Sequence, residues 1–78
     1  MLTLFQRDDC HLCDLALAEL AIAGVPEFDS VFIDGDDALE QRYGLRVPVL
    51  RAGDRELGWP FDAAMLRHWL GDGSRARR

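Results

Sequence analysis

The stretch Leu2-Thr3-Leu4-Phe5-Gln6-Arg7-Asp8-Asp9-Cys10-His11-Leu12-Cys13 decides how this 78-residue chain is read. Leu2 to Phe5 is apolar and β-rich enough for a buried strand. Gln6 to Asp9 breaks it. From Leu12 to Ala23 the residues are mostly Leu, Ala and Ile, strong or adequate helix formers. Asp8 or Asp9 is the expected cap at the start, Gly24 the left-handed cap at the end, and Pro26 stops continuation. Because only Asp14 and Glu19 interrupt it, this helix is expected to need cover on much of its circumference. The two cysteines lie where the strand hands over to the helix. Residues three apart at a helix start are neighbours one turn apart, so two sulfurs can meet there without unwinding it. Unpaired N–H groups and the positive end of the helix dipole favour a thiolate at Cys10. Cys13, one turn deeper, is less accessible. That asymmetry makes Cys10 the attacking sulfur and Cys13 the resolving one.

Outward from this unit, Phe28 to Ile33 reads as a second strand, buried on both faces because Val31-Phe32-Ile33 is continuously apolar. Asp34 to Asp37 is a turn. Asp37 and Glu40 resemble a capping box for a short helix that Gly44 ends. Val47 to Leu50 is a third strand, Ala52-Gly53-Asp54 a hairpin turn, and Arg55 to Leu57 a fourth strand. Asp62 caps a last helix, Ala63 to Leu70, closed by Gly71. The fold class is therefore α/β in the order β-α-β-α-β-β-α, with the first two strands parallel and the last two an antiparallel hairpin. The domain is placed at residues 1–71, and 72–78 are expected to be a flexible basic tail carrying Arg75, Arg77 and Arg78.

Composition narrows the function classes. A hydrophobic fraction of 49% with 29% charged residues suits a globular domain. The net charge is −5 and Lys is absent, which argues against a nucleic-acid surface. No apolar run approaches the length of about 18 residues that a membrane span needs, and no secretory leader is expected. A cytoplasmic setting follows, and in a reducing compartment a close Cys pair argues for reactive thiols over a structural bridge. Two other readings of the pair stay open. A zinc site needs a full tetrahedral set of converging ligands; the chain offers His11 and His68 besides the cysteines, and His11 is expected to point away from them. No metal is therefore expected. An inert, packing pair is the other, and exposure at a helix start speaks against it.

With these residues in view, the chain resembles the glutaredoxin-like branch of the thioredoxin superfamily. Cys10-His11-Leu12-Cys13 matches its active-site position. Val47-Pro48, about 35 residues downstream, matches its cis-proline dipeptide. Gly58 and Asp62 resemble the Gly and Asp region after the fourth strand. The resemblance spans Leu2 to Leu70 and implies a thioredoxin-like fold of glutaredoxin size, a four-stranded mixed sheet with flanking helices. It also implies a cis Pro48 beside Cys10, with free backbone groups on Val47 that pair with a bound peptide or glutathione. The candidate substrate-binding residues are His11, Leu12, Arg46, Val47, Pro48 and Trp59. The chain departs from the family at His11-Leu12, where a Pro-aromatic pair is common, and at Arg7 and Arg46, which replace Lys and Thr. Trp59 takes the place of a second Gly. These changes fall on the groove that would hold glutathione, where Trp59 adds bulk and Arg7 or Arg46 is available to a carboxylate. The expected activity is thiol–disulfide exchange by a monomer, with a disulfide-containing protein or glutathione as partner and no resident cofactor. A protein-binding module presenting the Val47 edge and Trp59 is the alternative. Asp8, Asp9 and Asp14 around the motif either cap and solvate the loop or select basic partners.

Overall fold

The computed structural model describes residues 2–75. Strand β1 (Leu2–Gln6) leads into α1 (His11–Ala23) and β2 (Asp29–Phe32), then α2 (Asp37–Tyr43), β3 (Val49–Ala52), β4 (Arg55–Gly58) and α3 (Ala63–Arg75). The sheet order is β2-β1-β3-β4. β1 runs parallel to β2 and antiparallel to β3, and β3 pairs antiparallel with β4. The element order and the mixed sheet agree with the sequence reading.

Side chains alternate across the two central strands, and the core divides accordingly. Leu4 and Leu50 face Ala16 and Leu20 of α1 and Leu66 of α3, with Phe61 beside them. Phe5 and Val49 face the other way, onto Ile33 and the buried Tyr43 of α2. Phe5 and Tyr43 stack with ring centroids 4.2 Å apart. Full burial of each such side chain contributes about 1.5–3 kcal/mol. One helix pair therefore covers one sheet face and α2 covers the other. Their common reference is β1, whose C-terminal end points at the cysteines.

Several local expectations are corrected. α1 is capped by Cys10, whose sulfur accepts from the Cys13 N–H at 3.2 Å. Neither aspartate caps it, because Asp8 and Asp9 form the preceding turn, Asp9 at φ 51°, a left-handed conformation that Asp tolerates. α1 buries only Cys13, Ala16 and Leu20. Among the described residues its cover is one sheet face and α3, and Leu12, Leu15 and Ile22 stay exposed on the uncovered side. α2 is capped by Asp36, which accepts from the Leu39 N–H; Glu40 turns instead to Arg7. β2 is an edge strand, not a strand buried on both faces, and Phe32 is 52% exposed. β3 starts at Val49, two residues late, because Pro48 has no N–H to pair. α3 runs past Gly71 to Arg75. Gly71 does not adopt a positive φ, and a glycine inside a helix costs only about 1 kcal/mol relative to Ala. Of the basic tail, Arg77 and Arg78 lie outside the described residues.

At the other end of α1, Gly24 adopts φ 78° and its N–H donates to the Ala21 carbonyl, while the Val25 N–H donates to that of Leu20. This closes the helix as expected and turns the chain toward β2.

Candidate functional site

The Cys pair sits where β1 ends and α1 begins. Cys10 has an extended backbone at the helix cap and is partly exposed. Cys13 is buried, at 1% exposure. Their Cα atoms are 5.2 Å apart and the sulfurs lie within disulfide-bonding distance. Cys10 thus has solvent on one side and the first N–H groups of α1 on the other, the placement that stabilises a thiolate. His11 and Leu12, between the two, are both exposed. Asp14 lies in the first helical turn, where a carboxylate is favoured by the helix dipole and offsets part of that field at Cys10.

The loop before β3 reaches the same end of the sheet. Val49 pairs with Phe5 of β1, so Pro48 stands level with Gln6 and the chain leading to Cys10. The Val47–Pro48 peptide bond is cis, and so is Trp59–Pro60, which was not anticipated. Pro48 is fully buried. The Val47 N–H is not free: it donates to the Tyr43 carbonyl at 3.0 Å, which also accepts from Arg46 N–H at 2.8 Å. Of the two Val47 backbone groups, the carbonyl is the one with no hydrogen bond to the described residues. The end of α2 has claimed the donor that the sequence reading left for a substrate strand. Trp59 donates its N–H to the Pro48 carbonyl at 3.2 Å. Its ring is partly buried, edge-on to Phe61 at 5.0 Å, so it belongs to the core margin as much as to the groove.

Both arginines expected to be available are engaged. Arg46 donates to Glu56 at 2.8 Å. Glu56 also accepts from the Tyr43 hydroxyl at 2.8 Å and from Arg42 at 3.1 Å. The Arg46 and Tyr43 hydrogen bonds hold the Glu56 carboxyl well below its ordinary range, at about 2. Arg7 forms a two-pronged pair with Glu40 at 2.6 and 2.8 Å and lies 3.7 Å from Asp34. That pair raises the Arg7 pKa and lowers the Glu40 pKa. Sequence reasoning misses Glu56 and Tyr43 and reads Glu40 only as a capping partner. The arginine partners of Glu56 and Glu40 lie 10, 14 and 33 residues away in sequence, and no local pattern marks the pairing.

A groove of about 450 Å³ opens beside Cys10, between the start of α1 and the β1–β2 edge. Leu17 and Phe32 supply its apolar wall, and Gln6 and Ser30 its polar lining, joined by a 3.1 Å hydrogen bond. Asp8, Asp9 and Asp14 border it. Sequence reasoning missed Gln6, Ser30, Leu17 and Phe32. The clue was a polar Gln6 closing an apolar strand. Among the described residues, no group of three or more His, Cys, Asp or Glu side chains is placed to hold a metal ion. No described helix is long and apolar enough to cross a membrane.

Comparison with known proteins bears on this arrangement. Residues 1–71 match the family described as Glutaredoxin-like domain, DUF836. The crystal structure of target protein XcR50 from X. campestris is 64% identical, with a TM-score of 0.88 over 92% of this chain and 97% of that one. Its solution structure gives 65% identity and a TM-score of 0.85 over 91% and 92%. The solution structure of protein Ne2328 from Nitrosomonas europaea is 32% identical, with a TM-score of 0.72 over 87% of each chain. No curated protein matches.

Proposed function

The chain belongs to the glutaredoxin-like domain family, and from that premise we propose that it is a thiol–disulfide oxidoreductase or redox-responsive protein working through Cys10 and Cys13. The observation that carries the reading is the asymmetry of the pair. Cys10 is at the helix cap and reachable, while Cys13 is buried one turn inside at bonding distance. In the reduced protein the Cys10 thiolate attacks one sulfur of a substrate disulfide. A mixed disulfide forms and the first substrate thiolate leaves. Cys13, losing its proton to solvent or to that thiolate, then attacks the Cys10 sulfur. The Cys10–Cys13 disulfide forms and the second substrate thiolate leaves. Two electrons pass from the protein dithiol to the substrate, which ends as two thiols. A thiol reductant such as glutathione restores the dithiol.

In this reading the Val47 carbonyl and the buried Pro48 orient the substrate strand, while His11 and Leu12 line its approach. Arg46 acts through the loop that it and Glu56 hold. The exchange partner is a disulfide-containing protein or glutathione in a reducing, cytoplasmic setting. The alternative, a protein-binding module, has less to offer a partner at this edge, because the Trp59 ring is edge-on to Phe61 and the Val47 N–H is bonded to the Tyr43 carbonyl.

The test is a trap. A Cys13→Ser variant is reduced, mixed with a small disulfide such as oxidised glutathione, and examined by mass spectrometry. The reading expects a stable adduct on Cys10, and none on Cys13 in the Cys10→Ser variant. In the unmodified protein, the pair should titrate reversibly at roughly −180 to −270 mV. A pair that resists reduction below about −300 mV is structural and overturns the reading, as does trapping through neither sulfur.

A further inference from the structure

We propose that the groove between α1 and the β1–β2 edge is a specificity pocket for a cationic side chain, Arg or Lys, flanking the cysteine of the substrate disulfide. The proposal rests on the exchange reading above and names the substrate class for that site. Three independent observations converge on it. The first is place. The groove, about 450 Å³, has Cys10 in its lining, so a residue adjacent to the attacked sulfur reaches it without leaving the protein surface. A second hollow of about 370 Å³ shares Asp8 and Phe32 and lengthens the groove.

The second is charge. Asp8, Asp9 and Asp14 border the groove, all exposed, and none forms an ion pair among the described residues. The one cation in the lining, Arg7, is held by Glu40 and Asp34. Its charge is already matched by those two carboxylates, leaving the rim negative. Like charge in an approaching partner is repelled here, and opposite charge is drawn in.

The third is the wall. Phe32 stands on an edge strand with half its surface uncovered, next to Leu17. Capping acids on a solvated loop need no such surface. A long basic side chain lays its methylene stem on apolar residues while its head stays polar. Guanidinium groups also favour aromatic faces and pair with carboxylates through two hydrogen bonds. Acidic rim, aromatic wall and nearby nucleophile together fit one occupant: a basic residue beside a disulfide.

The experiment compares three short peptide disulfides, identical except for Arg, Gln or Glu on both sides of the cysteine. Their second-order reduction by the full-length protein is measured at low and high salt. In parallel, the same peptides with Ser for Cys are titrated onto the oxidised protein while the amide resonances of Gln6, Ser30 and Phe32 are followed. The Arg peptide is expected to react roughly 5- to 20-fold faster than the Gln peptide at low salt, and the Glu peptide slower. The ratio should fall toward unity at about 0.5 M salt, where exposed charges are screened. Asp9→Asn and Asp14→Asn should each lower the Arg-to-Gln ratio by about 1.5- to 5-fold, as partly exposed pairs do. Using the ratio removes any change in the Cys10 thiol itself. Only the Arg peptide should shift Ser30 and Phe32. Equal rates for all three peptides, with no shift at the groove, overturn the pocket and leave dithiol exchange standing. Groove shifts with the Arg peptide but no reduction of any disulfide overturn the exchange reading and with it the pocket's role in choosing a substrate, leaving a groove that binds basic peptides.

Discussion

Replacing Glu56 with Gln removes one charge and keeps the shape of the side chain. Glu56 accepts from Arg46 and Tyr43 at 2.8 Å each and from Arg42 at 3.1 Å. Its pKa falls from an ordinary 4.5 to about 2. At 1.36 kcal/mol per pKa unit, that drop corresponds to about 3 kcal/mol in favour of the folded state. The side chain is 20% exposed, and solvent screening reduces the figure, so we expect a loss of about 2 kcal/mol at pH 7. For a domain of this size, that lowers Tm by roughly 10 °C. The pH dependence follows from the direction of the shift. A carboxylate whose folded pKa is depressed contributes fully above its unfolded pKa and loses that contribution as pH falls through the folded one. Urea unfolding of the unmodified protein and of Glu56→Gln, from pH 7 down to 2, should show a stability gap that is constant above about pH 5 and closes between 4.5 and about 2. A gap below about 0.5 kcal/mol that does not change with pH would place this cluster among surface pairs of no consequence and would refute the reasoning. The position of Glu56 ties this to the site. It holds Arg46, and the Tyr43 carbonyl holds the next residue, Val47.

Two further substitutions test how the site's scaffold is held. Asp62 accepts from the Met65 N–H at 2.8 Å at the start of α3, so Asp62→Ala should cost about 1 kcal/mol in urea unfolding; no loss would mean that the Glu19 carboxylate, which accepts from the Ala63 N–H, is sufficient as a cap. Gly24 sits at φ 78° with open space around its missing Cβ, so Gly24→Ala should destabilise by about 1–2 kcal/mol through backbone strain alone, and unchanged thermal unfolding would count against the left-handed cap.

The Cys10–Cys13 pair brings together features that act in opposite directions. The helix start favours a thiolate at Cys10, while three nearby aspartates oppose it. The same aspartates border the groove, so one set of charges would set both the reactivity of the thiol and the choice of its partner. Arg7, the nearest arginine in the chain, does not relieve that negative charge, because Glu40 and Asp34 hold it. If the proposed pocket selects basic partners, the same aspartates that oppose the thiolate also favour those partners.

Local patterns settle most of the fold without any tertiary contact. Element order follows from signals that act within a few residues: an apolar strand, an Ala/Leu run closed by Gly24, and a hairpin turn at Ala52-Gly53-Asp54. The Cys pair was legible for the same reason, because a three-residue spacing at a helix start has one geometric meaning. What failed depended on turn geometry or on contacts that sequence order does not display. Val31-Phe32-Ile33 reads as a fully buried strand, yet β2 lies at the sheet edge, and only strand order decides which strand has a neighbour on each side. Asp8 and Asp9 looked like caps until the turn that they form left that position to Cys10. Arg7, Arg46 and the Val47 N–H seemed available to a ligand, but tertiary contacts with Glu40, Glu56 and the Tyr43 carbonyl occupy them. The ion pairs act between residues about 10 to 33 apart in this chain, so the position of the dithiol is legible in its local sequence, while its surroundings depend on which distant segments the fold brings together.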